Sequence, residues 1–206
     1  MERRRHRWND GFSYERLRRP LRTISEQQAD DYDTAGFFVM PAVFGADQLE
    51  VIDRAIAPGE QLIRGLLEQL PGHRLSVAGL DTQTVAPNMV GSSPALREVC
   101  ADPALLGICA DIVGPDVRLY WEQAVYKQPH SAEPVLWHQD NGYTYVEPQA
   151  YLTCWIAITD ATIANGCISV VPGAQREGTL EHRSTPIGEE CWGDWDLAVD
   201  VPVTAG

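Results

Sequence analysis

The stretch "VLWHQDNGYTYVEPQAYLTCWIAITD", residues 135–160, decides how this chain is read. Its first half places His138 and Asp140 two residues apart after an apolar run. In a β-strand, positions i and i+2 point to the same side. The two side chains can therefore reach one point in space without strain, one offering an imidazole nitrogen and the other a carboxylate oxygen. The second half alternates with a period of two. Tyr151, Thr153, Trp155 and Ala157 share one face, and Leu152, Cys154, Ile156 and Ile158 share the other. A barrel strand that packs on a core and lines a ligand cavity has this pattern. A sandwich with a moderately polar inner face would give it too, and the His–Asp pair alone also suits an ordinary polar turn.

The same period continues on both sides. In "DVRLYWEQAVYK", residues 116–127, Val117, Leu119, Trp121, Gln123, Val125 and Lys127 share a face. "CISVVPG" follows an Asn165-Gly166 pair and reads as a further strand after a hairpin turn. Towards the N-terminus the period changes to 3.6. "ISEQQADDYDTAG" reads as a complete helix, with Ser25 as cap, Gln28 closing a capping box and Gly36 as exit. Residues 37–40 then read as a short strand closed by Pro41. "GADQLEVIDRAI" and "GEQLIRGLLEQL" carry apolar residues at helical spacing. "DPALLGICADIVG" has Asp102 as cap and Pro103 at the first helical position. Helices first and strands later predict an α+β fold with a mainly antiparallel core.

Bulk composition narrows the function classes. The chain has 206 residues, 44% of them hydrophobic, which suits one soluble domain. No apolar run approaches the about 18 residues of a membrane span, and the charged N-terminus lacks the apolar region of a secretory signal. Residues 1–22 hold eight arginines against three acidic residues, whereas the whole chain has a net charge of −13. The body, residues 23–206, should repel nucleic acid and anionic membranes. The basic leader is expected to lie on the acidic body or to fray, adding little to the fold. Five cysteines, Cys100, Cys109, Cys154, Cys167 and Cys191, show no CxxC spacing and read as reduced thiols of a cytoplasmic protein.

Together these segments resemble the phytanoyl-CoA dioxygenase family of Fe(II)- and 2-oxoglutarate-dependent oxygenases. "ISEQQADDYDTAGFFVMPAVFGADQLEVI" looks like the family's opening helix, strand and second helix. "YKQP" followed by "WHQD" looks like its approach to the first two iron ligands. "LTCWIAITDATIANGCISVVPGAQREGTL" looks like its long strand, turn and PGSHR-like segment, with Ala174 and Gln175 replacing Ser and His. The resemblance implies a double-stranded β-helix, a jelly roll of the cupin kind, with N-terminal helices. It implies His138 and Asp140 as iron ligands, with Gln123, Thr153 and Trp155 facing 2-oxoglutarate or substrate. From the residues alone, Trp155 suits a core position and Gln123 a surface one equally well.

The implied cofactors are Fe(II) and 2-oxoglutarate, with ascorbate as reductant in vitro. The implied reaction is hydroxylation of a small organic molecule by O₂. An aspartate at the carboxylate position favours hydroxylation, because related halogenases carry a small residue there. A second histidine would complete a two-histidine, one-carboxylate triad. The family places that histidine, and the arginine that clamps 2-oxoglutarate, on strands after a segment like "VPVTAG". The chain is therefore expected to lack its last strands and to be inactive alone. His182 is a weak substitute for the third ligand, and Arg176 and Arg183 read as surface residues. The alternatives are a non-catalytic small-molecule-binding β-barrel and a cupin-type metal enzyme.

Overall fold

A computed structural model describes residues 2–131 and 133–206. Helix α1, Glu26–Ala35, begins as its sequence dictates. The Ser25 side chain accepts from the Gln28 amide, the Gln28 side chain returns to the Ser25 amide, and Gly36 exits at φ 87°. Residues 37–40, expected as a strand, join no ladder. Phe38 and Met40 instead pack on a cluster of Ile24, Ala29 and Ile108. Helix α2, Ala46–Gln69, is one 24-residue helix where the sequence showed two apolar patterns. It runs through Pro58 because Ile52, Ile56 and Leu67 keep one continuous stripe buried on either side of that residue.

Four short strands follow α2 and form one antiparallel sheet in the order β1-β2-β3-β4. They are β1, Arg74–Leu75; β2, Ala78–Gly79; β3, Gln83–Pro87; and β4, Gln123–Lys127. The first three carried no clear sequence signal. β3 and β4 pair along their full length, with Val85 opposite Val125. Between them lie helices α3, Pro94–Cys100, capped by Ser93, and α4, Pro103–Ile112, capped by Asp102. The main core is Phe44, Ile52, Ile56, Leu96 and Ala124, with Tyr126, Ile156 and Ile158 packed against it. Leu105 of α4 touches this core and the α1 cluster alike.

The C-terminal half differs most from the expected strands. Residues 116–122 and 151–158 keep no ladder partner. The aliphatic side of 151–158 still reaches the core through Ile156 and Ile158, while Trp155 is 47% exposed. Alternation breaks at Ala157, which is buried. The Asn165-Gly166 pair ends a short 3-10 turn capped by Thr162, not a two-residue hairpin. The strand after it, β5, Ile168–Val170, pairs with β8, Val199–Val201, and not with the long apolar segment. A separate two-stranded sheet joins β6, Arg183–Thr185, to β7, Gly188–Glu190. The observed class is thus mixed helix and antiparallel sheet, in three separate sheets among the described residues.

The basic leader is docked. The His6 amide donates to the Thr179 carbonyl and the Glu181 amide to the Arg4 carbonyl, both at 2.9 Å. Asn9 is 2% exposed and donates to the carbonyls of Glu177 and Thr179 at 2.7 and 2.8 Å. The buried Asp33 accepts from the Tyr14 hydroxyl and the Leu17 amide, and Asp111 accepts from the amides of Arg22, Thr23 and Ile24. Carboxylates of the acidic body thus hold backbone amides as well as arginines, which charge counting alone does not reveal. Among the described residues, no helix is long and apolar enough to cross a membrane.

Candidate metal centre

His138 ends an extended stretch, Gln139 keeps extended angles of −114° and 138°, and Asp140 opens a single 3-10 turn, Asp140–Gly142. The i, i+2 geometry expected from the sequence is therefore present. His138 Nε2 lies 3.6 Å from Asp140 Oδ1. The remaining polar atoms of both side chains are engaged. His138 Nδ1 is 2.7 Å from the Leu136 carbonyl oxygen, so Nδ1–H donates and the Nε2 lone pair stays available. The Thr153 hydroxyl donates to Asp140 Oδ2 at 2.7 Å, which leaves Oδ1 turned to the histidine.

Electrostatics follow from that geometry. Burial disfavours the His138 cation, but Asp140 and the Leu136 carbonyl outweigh it and its pKa is raised. The neighbouring His138 imidazole, helped by the Thr153 hydroxyl, holds the Asp140 carboxyl below its usual range against the cost of burial. The two shifts favour opposite charges on His138 and Asp140 when no cation lies between them. With one, two donors at the usual distances of about 2.0–2.2 Å could share a cation with little rotation, since a 90° angle needs a separation of about 3 Å. One nitrogen and one oxygen donor suit a borderline divalent ion. Among the described residues, no group of three or more His, Cys, Asp or Glu side chains converges to hold a metal. The pair fits iron as a partial site, with further positions left to other donors.

His182, the weak third-ligand candidate, is placed otherwise. Its Nε2 accepts from the Gln139 amide at 2.9 Å, and its Nδ1 is 2.9 Å from the Leu180 carbonyl oxygen. Both ring nitrogens are used, and the ring clamps the backbone between the two candidate ligands. It lies flat on the turn because residue 142 is glycine, where an added Cβ would fall 2.1 Å from His182 Cε1. Burial lowers the His182 pKa, in keeping with a neutral acceptor.

An amide network extends the clamp. Gln139 donates to the Gly178 carbonyl at 3.1 Å and accepts from the Leu180 amide at 2.7 Å. Asn141 donates to Thr179 Oγ1 at 2.6 Å, and Gln149 receives the Thr179 amide and donates to Asn9. The sequence reading missed Gln139, Asn141 and Gln149. For Gln139 and Asn141 the signal was the polar run "QDN" in an apolar setting; Gln149, in "EPQA", had no local signal.

Of the other expected residues, Thr153 stands against Asp140. Gln123 is exposed on β4 and accepts from Trp121 Nε1 at 3.0 Å. Trp155 stays half exposed on the unladdered segment. Among the described residues, no hydrogen bond joins Gln123 or Trp155 to the His138–Asp140 pair. The arginines have structural partners: Arg176 donates to the Asp33 carbonyl at 3.1 Å, and Arg183 pairs with Glu190.

The model of the family described as "Phytanoyl-CoA dioxygenase (PhyH)" matches residues 32–206. A phytanoyl-CoA dioxygenase of Arabidopsis thaliana is 41% identical over 27% of this chain and 20% of its own length. An L-proline trans-4-hydroxylase of Streptomyces griseoviridis is 35% identical over 48% of this chain and 39% of its own. An ectoine dioxygenase of Bordetella parapertussis is 23% identical over 75% and 50%, respectively. The chain thus spans half or less of the length of these relatives. No solved structure matches it.

Proposed function

The chain belongs to the phytanoyl-CoA dioxygenase family, and from that premise we propose that it acts as part of an Fe(II)- and 2-oxoglutarate-dependent dioxygenase that hydroxylates a small organic molecule with O₂. One observation carries the reading. His138 Nε2 and Asp140 Oδ1 stand 3.6 Å apart while each residue's other polar atom is engaged elsewhere. Residues merely completing a polar turn have no need of such an arrangement, and second partners of this kind are typical of metal ligands.

Iron(II) bound with 2-oxoglutarate would supply the activation of O₂ for hydroxylation. His138 and Asp140 would hold it. The Leu136 carbonyl fixes the histidine tautomer, and Thr153 fixes the carboxylate rotamer. Gln123, Val125 and Trp155, exposed on β4 and on segment 151–158, are the candidate wall for 2-oxoglutarate and substrate within a double-stranded β-helix. Named substrates of the relatives, proline and ectoine, support a small polar molecule as the class. The reading places the protein in the cytoplasm, with its cysteines as thiols and ascorbate as reductant in vitro.

A second reading, a non-catalytic small-molecule-binding barrel, is favoured by the two-donor set. Anaerobic titration with Fe(II), without and with 2-oxoglutarate, separates the two. A visible absorption band that needs both components, disappears in His138→Ala and is followed by succinate formation in air supports the dioxygenase. Saturable 2-oxoglutarate binding unaffected by Fe(II) or by His138→Ala would overturn it.

A further inference from the structure

Cys109 and Cys154 face each other, on elements far apart in sequence. Their sulfur atoms are 3.9 Å apart, Cys109 on α4 and Cys154 exposed on segment 151–158. Among the described residues, no β-ladder holds that segment, so Cys154 sits on backbone able to adjust. A disulfide needs its sulfur atoms at about 2.05 Å, and closing a gap of roughly 2 Å is within reach of rotation about the two Cα–Cβ bonds.

We propose that Cys109 and Cys154 form a redox-active thiol pair, closed to a disulfide by a peroxide and reopened by a dithiol, which fastens α4 to the segment bearing Thr153. The two sulfurs have distinct roles. A hydrogen bond from the Cys154 thiol draws the Cys109 thiol down to about 7 despite burial, while the same contact raises Cys154. The Cys109 thiolate attacks one peroxide oxygen, the O–O bond breaks, and hydroxide leaves. The resulting sulfenic sulfur is attacked by the Cys154 sulfur. The S–S bond forms, the S–O bond breaks, and the hydroxyl leaves as water with the Cys154 proton. Two electrons pass from the sulfurs to hydrogen peroxide, which ends as two waters.

The other three cysteines are poorer reactants. Burial raises Cys100 and pushes Cys191 up to about 11, and Cys167 is buried. The linkage matters to the neighbouring site because Thr153 precedes Cys154 directly and its hydroxyl holds Asp140. In an extended segment adjacent side chains point to opposite faces, so a bond at Cys154 fixes Thr153 from behind.

The test is to treat the whole chain with an equivalent of hydrogen peroxide, count thiols, and map the digested protein by mass spectrometry. The expected result is the loss of two of the five thiols, a linked Cys109–Cys154 peptide lighter by about 2 Da, and full reversal by dithiothreitol. Cys154→Ser, at an exposed position that tolerates serine, should leave a sulfenic acid at Cys109 that dimedone traps. The proposal is overturned if Cys109 and Cys154 stay reduced while other cysteines oxidise. It also fails if both go separately to sulfinic acids with no linked peptide.

Discussion

The Asp140 carboxylate has two oxygens, and the Thr153 hydroxyl occupies one of them at 2.7 Å. Thr153→Val keeps the shape and removes that donor, freeing the carboxylate to rotate. Fe(II) affinity should fall by roughly 10–100-fold while the melting temperature barely moves, because Thr153 is exposed. Unchanged affinity in a competition titration against a metal-sensitive dye would remove Thr153 from the site. His182 is read through stability. Its pKa is lowered in the fold by burial, so protonation favours the unfolded chain. Its contribution is full above the ordinary histidine pKa near 6.5 and is lost as pH falls through that value towards the lowered one. Denaturation midpoints should therefore drop on acidification through this range. His182→Gln, which can still accept from the Gln139 amide, should flatten that part of the curve. A His182→Gln profile that matches the native one would refute the clamp.

Among the elements, helices were legible where the signal was local. Ser25 with Gln28, and Asp102 with Pro103, mark helix starts that the fold keeps, because caps satisfy amides within a few residues of themselves. Strands were not legible in this way. Residues 116–122 and 151–158 have the right alternation, yet no ladder forms, since a ladder needs an edge that another part of the chain must supply. Conversely, β1 and β2 are two-residue strands with no periodicity to read. Helix α2 shows tertiary burial overriding a local breaker. Pro58 is exposed inside it, lacks the N–H that would reach the Arg54 carbonyl, and carries no packing that would offset the loss. Pro58→Ala should stabilise the protein by about 1–3 kcal/mol in chemical denaturation. A destabilised Pro58→Ala would mean that the proline shapes a bend the core requires.

At the scale of the whole molecule, the N-terminal arm and the turn 140–142 belong to one polar network. Asn9 connects the carbonyls of Glu177 and Thr179 to Gln149, and Thr179 connects onward to Asn141. Asn9→Ala takes the donor from the Glu177 carbonyl and one of two partners each from the Thr179 carbonyl and the Gln149 amide, in a buried place. It should cost about 2–3 kcal/mol, or roughly 5–10 °C in melting temperature for a chain of this size. Removing residues 1–22 should cost more, since Asp33 loses the Leu17 amide and the Tyr14 hydroxyl, and Asp111 loses the Arg22 amide. If the shortened protein melts where the full chain does, the arm is not docked in solution.

The sequence by itself determined the class of the fold, the starts of α1 and α4, and the closeness of His138 to Asp140. Each depends on residues within one turn of helix or two steps of an extended chain. The family resemblance was legible for the same reason, as an ordered set of such local patterns. Only the tertiary structure decided which strands pair, where the basic arm lies, and that His182 serves the backbone and is not aimed at the metal pair. It also decided that Cys109 meets Cys154. These outcomes depend on contacts between residues tens to more than a hundred positions apart. Local composition does not encode such contacts, because each is chosen by the burial and hydrogen bonding of the assembled whole.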